Sequence, residues 1–177
     1  RLGEAWGTLI GSDYVYLNGQ KVVDAATGYY KKNSNQIIGN ATPTWIGGVR
    51  NSLRYKDFSF SFLIDVRHGG DVFSSDLYYA LATGLYEETA IGDMREKGVV
   101  WEGVNPDGLT NKTVTANPQD YGNLDGYIRM PAKRFVYDGS YIKLREASVG
   151  YDFPEKILKN GFIKAAKIAL VGRNLWI

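Results

Sequence analysis

The chain has 177 residues, 44% hydrophobic and 23% charged, with 21 basic against 19 acidic side chains and a net charge of +2. That balance leaves no basic stripe for nucleic acid. The absence of cysteine removes disulfides, thiol nucleophiles and thiolate metal sites, and a single histidine, His68, supplies too few ligands for a His-based metal centre.

No stretch approaches the roughly 20 apolar residues of a membrane-spanning helix. Strands that cross a bilayer by alternation are untouched by that exclusion, because they barely register in hydropathy. The 13 Tyr, 7 Phe, 4 Trp and 21 Gly, with short apolar runs, favour an all-β chain with frequent turns. There is no initiator Met, and the last residues, Arg173 to Ile177, read as the interior of a strand, so a piece of a longer chain is expected.

In chain order, residues 1–42 are broken by turns. Asn18-Gly19 lies between Tyr14-Val15-Tyr16-Leu17 and Val22-Val23 and predicts a hairpin, since both central turn residues need positive φ. A strand follows near Trp45–Tyr55, with Trp45, Val49, Leu53 and Tyr55 on one face and Arg50, Ser52 and Arg54 on the other. After a tight Tyr55-Lys56-Asp57-Phe58 connection, Phe58, Phe60, Phe62, Ile64 and Val66 alternate with Ser59, Ser61, Leu63, Asp65 and Arg67. Ten such residues span roughly 33 Å, about what a tilted strand uses to cross a bilayer.

Residues 68–137 lose the alternation and read as one long external loop. Within it, Gly69-Gly70 needs unusual φ, Leu77–Ala82 suits a short helical turn, and Asn105–Asn123 has loop composition. A further strand starts near Ser140-Tyr141. Its apolar positions switch phase between Ile142/Leu144 and Ala147/Val149/Tyr151, and a bulge near Arg145-Glu146 reconciles the halves. Pro154 to Gly161 reads as a short turn with one helical turn, and a last strand runs from about Lys167 to Ile177. Connections thus alternate short, long, short, the rhythm of an up-and-down barrel.

The runs Ile38-Gly39-Asn40-Ala41-Thr42-Pro43-Thr44-Trp45-Ile46-Gly47-Gly48, Asp65-Val66-Arg67-His68-Gly69-Gly70-Asp71 and Ser140-Tyr141-Ile142-Lys143-Leu144-Arg145-Glu146 stand in this order. With Tyr55-Lys56-Asp57-Phe58, Gly150-Tyr151-Asp152-Phe153-Pro154 and Gly172-Arg173-Asn174-Leu175, they resemble the late barrel region of SusC/RagA-family TonB-linked outer-membrane proteins. The resemblance covers roughly residues 28–177, with less distinctive motifs before that. It implies antiparallel transmembrane strands of a 22-stranded barrel in the outer membrane of a Bacteroidetes-like Gram-negative cell. Residues 1–177 would then be a partial barrel domain without the plug. It also implies energy supplied through TonB, a SusD-like surface lipoprotein at the barrel mouth, and import of glycans, oligosaccharides or peptides with no cofactor and no covalent chemistry.

Candidate substrate contacts are Tyr78, Tyr79, Tyr86 and Trp101 on the long loop, whose rings would stack on a substrate or else pack against neighbouring loops. Candidate lumen-facing residues are Arg50, Arg54, Asp65, Arg67 and Glu146. Interstrand pairing of Arg50, Arg54, Arg67 and Arg145 with Asp65, Glu146 and Asp152 is the plainer expectation. Glu87-Glu88 are adjacent and diverge, which does not suit a glycosidase pair. Gly69-Gly70-Asp71 lacks the Gly-Lys-Ser/Thr of a phosphate loop. Asn111-Lys112-Thr113 has the form of a glycosylation acceptor, read as accidental in a bacterial chain. The alternative from another class is a soluble β-sandwich that binds carbohydrate, burying the Phe58–Val66 face under a second sheet.

Overall fold

The computed structural model describes residues 2–118, 125–159 and 162–177. Its strands are mostly antiparallel, none of its helices is long and apolar enough to cross a membrane, and the described strands form open sheets of two and four strands. The described residues group into two compact units, residues 1–42 with 71–138 and residues 43–70 with 139–177.

The first unit begins with strands β1 (Thr8–Tyr14), β2 (Tyr16–Leu17), β3 (Gln20–Lys21) and β4 (Lys32–Asn40). β1 pairs with β4, and β2 pairs with β3 across Asn18 (φ 51°) and Gly19 (φ 79°), the hairpin expected from Asn-Gly.

The second unit holds the long alternating strands, β5 (Pro43–Tyr55) and β6 (Phe58–Gly69). Their turn places Lys56 at φ 52°. At the far end of β6, Gly69 and Gly70 take φ of 74° and 83°, the positive values expected where the chain leaves the alternating strand.

The chain then returns to the first unit as β7 (Asp71–Phe73) and helix α1 (Ser75–Thr83). Ser74 caps α1 by accepting from the Leu77 N–H at 3.2 Å, and Gly84 closes it at φ 71°. A 3-10 segment (Glu87–Asp93), helix α2 (Met94–Lys97) and a second 3-10 turn (Ala132–Phe135) lead to β8 (Val136–Asp138), which pairs with β7. Leu81, Met130 and Phe135 form the buried core of this unit, with Tyr30, Leu77, Tyr78, Tyr86 and Trp101 packed around it. The segment expected to be a long loop with one helical turn at Leu77–Ala82 has that turn, as α1, and carries in addition an apolar core and further short elements. Of the loop-like stretch 105–123, residues 119–123 lie outside the described residues.

The chain completes the second unit with β9 (Tyr141–Asp152), α3 (Glu155–Leu158) and β10 (Lys167–Trp176). Pro154 stands just before α3 rather than inside it, and Gly161 lies outside the described residues. The sheet order is β10-β9-β6-β5. Leu63 faces Glu146 while Ile64 faces Leu144, leaving Arg145 as the extra residue of a bulge at the position the phase switch indicated. β10 answers with its own irregularity: Arg173 faces Glu146, Trp176 faces Leu144, and Asn174 between them has φ 51°.

Candidate functional site

Register turns four alternating strands into a sheet with two chemically distinct faces. Trp45, Val49, Leu53 and Tyr55 of β5 pair with His68, Ile64, Phe60 and Phe58 of β6, so all eight share one face. Phe58, Phe60, Phe62, Ile64 and Val66 in turn pair with Tyr151, Val149, Ala147, Leu144 and Ile142 of β9. The bulge at Arg145 keeps Leu144 and Ile142 on the apolar side despite their change of phase. Ile168, Leu170 and Trp176 extend this face across β10.

Among the described residues nothing covers this apolar face. Val49 and Leu53 are each 60% exposed and Leu170 is 80% exposed, so no second sheet buries it as a β-sandwich requires. Rings stand at both of its ends, with Phe60 and Phe62, 5.9 Å apart, between them. Near the short turn, Phe58 lies 4.8 Å from Tyr151, and Tyr151 lies 5.2 Å from Phe153. At the other end Trp45 lies 6.2 Å from His68. Ten residue steps separate Trp45 from Tyr55, roughly 33 Å along the strand and about 25 Å in height at a tilt near 40°. That equals the height of the apolar band on a membrane barrel.

The opposite face is polar and ion-paired. Arg50, Arg54, Asp65, Arg67 and Glu146 all lie on it, brought together by the same register. Arg54 donates to Asp152 at 2.9 Å, and Lys167 approaches the other Asp152 oxygen at 3.7 Å. Asp65 is held by Arg145 and also accepts from the Tyr141 hydroxyl at 3.4 Å. Glu146 is held by Arg173 at 3.3 Å. The hydroxyls of Ser61 and Ser148 bond at 2.8 Å across β6 and β9. Arg67 donates from Nε to the Gly69 carbonyl at 3.3 Å.

Interstrand pairing is thus the main use of these charges, but the partners differ from a simple reading. Arg145 takes Asp65 because the bulge gives it an extra position beside β6, and Arg173 takes Glu146 because they are direct Cα partners. The roles of Lys143, Lys167 and Arg173 were missed in the sequence. Their signal was the same alternation, read across strand pairs instead of within one strand.

The loop aromatics divide. Tyr78, Tyr86 and Trp101 pack around the core of the first unit. The Tyr78 ring meets Phe73 at 5.2 Å and Phe135 at 5.2 Å. The Tyr86 hydroxyl donates to Asp76, and that bond to a carboxylate raises the Tyr86 pKa. Trp101 lies between Tyr30 and the Arg134 guanidinium, each 5.9 Å away. Arg134 is anchored by two bonds to the nearly buried Asp125, one of them 2.8 Å from Nε. Burial disfavours the charged guanidinium, yet the Asp125 bond and charge raise its pKa on balance. Tyr79, by contrast, is 58% exposed and lines a shallow groove of about 380 Å³ with Asp76, Thr83 and Leu85.

No family model matches the chain. TonB-dependent receptor P3 of Formosa agariphila is 29% identical over 195 residues, covering 99% of this chain and 18% of its own length. TonB-dependent receptor P39 of the same organism is 31% identical over 180 residues, covering 100% of this chain and 16% of its own length. The chain belongs to the TonB-dependent receptors. It spans less than a fifth of the length of these curated relatives. Family membership makes this segment part of an outer-membrane receptor and not of an enzyme.

The solved RagAB peptide transporter matches this receptor segment in fold, with a TM-score of 0.58 at 14% identity over 96% of the segment and 19% of that chain. The RagAB peptide importer in its open-open state gives 0.58 at 16% identity, over 96% of the segment and 18% of that chain.

Proposed function

We propose that the four-stranded sheet is a section of the wall of a TonB-dependent importer, with the apolar face against lipid and the polar face toward the lumen. The observation that carries this reading is the uncovered apolar band, about 25 Å tall between two sets of rings. In a soluble protein such a face would be covered or would aggregate. Arg50, Arg54, Asp65, Arg67 and Glu146 are lumen-facing on this reading. The long connection 68–137 is external on this reading.

The whole receptor is then a barrel of 22 strands with a plug elsewhere in the chain, energised through TonB and working with a SusD-like surface lipoprotein. Its cargo is a glycan, oligosaccharide or peptide. The SusC/RagA motifs in the sequence support these finer assignments. Of the four loop aromatics, Tyr79 is the best placed to touch substrate, since Tyr78, Tyr86 and Trp101 are engaged in packing.

Absence of cysteine from the segment allows a direct test. Single cysteines replace Leu170 and Ser61 in the full receptor, in intact outer membranes. Expected is labelling of Ser61→Cys by a small water-soluble maleimide and protection of Leu170→Cys, with a lipid-borne spin label quenching a probe only at Leu170. Equal aqueous labelling at both positions would overturn the reading.

A further inference from the structure

The polar face of the sheet carries more cations than its carboxylates use. Asp65 is taken by Arg145, Glu146 by Arg173, and Asp152 by Arg54 and Lys167. Arg50 and Lys143 are left without an ion pair among the described residues. The Lys143 ammonium rests 4.2 Å over the Tyr141 ring, a contact that holds it without neutralising it.

These two cations flank β6 from opposite sides. Arg50 is the β5 partner of Leu63, and Lys143 is the β9 partner of Asp65. Two strand spacings across and two residues along place their Cα atoms roughly 12 Å apart. Carboxylates four positions apart in an extended peptide stand roughly 13 Å apart on one side of that chain. Between the cations the same face offers apolar contact from Leu63, the residue that interrupts the polar pattern of β6, with Ile46 exposed nearby on β5.

Sugar recognition would call for open ring faces, and the rings of this sheet lie on its other side. Tyr141, the ring on the polar strand face, is covered by Lys143.

We propose that this face takes an acidic peptide, whose carboxylates are received by Arg50 and Lys143 while an aliphatic side chain between them rests on Leu63. The guanidinium of Arg50 suits a planar carboxylate through two parallel N–H bonds, and Lys143 acts as a point charge. The inference rests on the polar face being lumenal, as proposed above.

The test uses the full receptor with its partners, Arg50→Gln and Lys143→Gln singly and together. Three fluorescent probes are compared: an octapeptide with Asp at positions 2 and 6, the same peptide with Asn there, and a sulfated oligosaccharide. Expected is a three- to tenfold loss of acidic-peptide affinity per substitution, about what a partly screened ion pair contributes. The loss shrinks with salt, and the Asn peptide is unaffected. Equal losses for both peptides, no loss for either, or a loss confined to the oligosaccharide would each overturn the proposal. Retained aqueous labelling of Ser61→Cys in the same receptors would show that such a failure belongs to the peptide assignment and not to the wall.

Discussion

Replacing Ile64 by arginine puts the two-faced sheet to its most direct quantitative test. Ile64 is the seventh of the twelve residues of β6 and pairs with Val49 on one side and Leu144 on the other. A guanidinium there meets mainly apolar neighbours on its own face, Val49, Phe62, Val66 and Leu144, with Asn51 the polar residue at the diagonal position. On a barrel wall it would sit near the bilayer midplane, where arginine costs roughly 2–4 kcal/mol, against about 0–1 kcal/mol near the interface. Phe58, at the ringed end of the same face, supplies the interfacial control. The cost at Ile64 corresponds to about a 30- to 700-fold shift in the folding equilibrium, each 1.4 kcal/mol being a factor of ten. Folding of the full receptor into lipid vesicles from urea, read as the fraction with folded gel mobility, measures it. Ser61→Arg, on the polar face, should cost little. On a water-facing surface, Ile64→Arg would fall within about 0.5 kcal/mol of wild type. Equal costs at Ile64 and Phe58, or a larger cost at Ser61, would refute the assignment of the apolar face to lipid.

Two further outcomes concern the first unit. Arg134→Met leaves the nearly buried Asp125 carboxylate without its guanidinium and should destabilise the unit by about 3 kcal/mol, seen as faster proteolysis of the external segment in the intact receptor; Asp125→Leu added to it should recover much of the loss. Tyr30 has its pKa raised above the ordinary 10.0, chiefly by burial, with nearby Arg134 opposing and Glu102 and Asp125 adding. Its neutral form is favoured in the fold, so its contribution is fully present below the ordinary tyrosine range and is lost as pH rises through the higher folded value. The difference in tyrosinate absorbance between wild type and Tyr30→Phe should therefore titrate above the range of exposed tyrosines, and a difference curve at the ordinary value would contradict the packing described.

The sheet was legible in the sequence because its faces differ at every second residue. β5 and β6 follow from alternation alone, and the switch from Ile142/Leu144 to Ala147/Val149 placed the bulge near Arg145-Glu146, where Arg145 is the extra residue. The matching irregularity in β10 left no such trace, since Leu175 and Trp176 are both apolar and hide the change of phase. The first unit was far less legible. Its core joins Leu81 to Met130 and Phe135, about fifty positions away, and no local period records a contact of that range. Helix α1 was legible as the helical turn at Leu77–Ala82; the structure extends it to Ser75–Thr83, between the Ser74 cap and Gly84.

The same distinction explains which site residues were found. Arg50, Arg54, Asp65, Arg67 and Glu146 share a face because of local alternation, so they could be named from the sequence. Their pairing is set by register between strands far apart in the chain and by where a bulge inserts one residue. Arg145 lies outside the simple alternation, yet the bulge carries it to Asp65, the carboxylate that would otherwise neutralise Lys143, its direct Cα partner on β9. The bulge therefore does two things: by absorbing Arg145 it keeps Ile142 and Leu144 on the apolar face, and by turning Arg145 to Asp65 it leaves a cation unneutralised on the polar one. Deleting Arg145 removes the residue the bulge absorbs: Ile142 and Leu144 should stay on the apolar face of a now regular strand, while Asp65 loses Arg145 and becomes available to Lys143. The bulge thus couples the pattern of the apolar face to the charge on the polar one, which no inspection of either face alone would reveal.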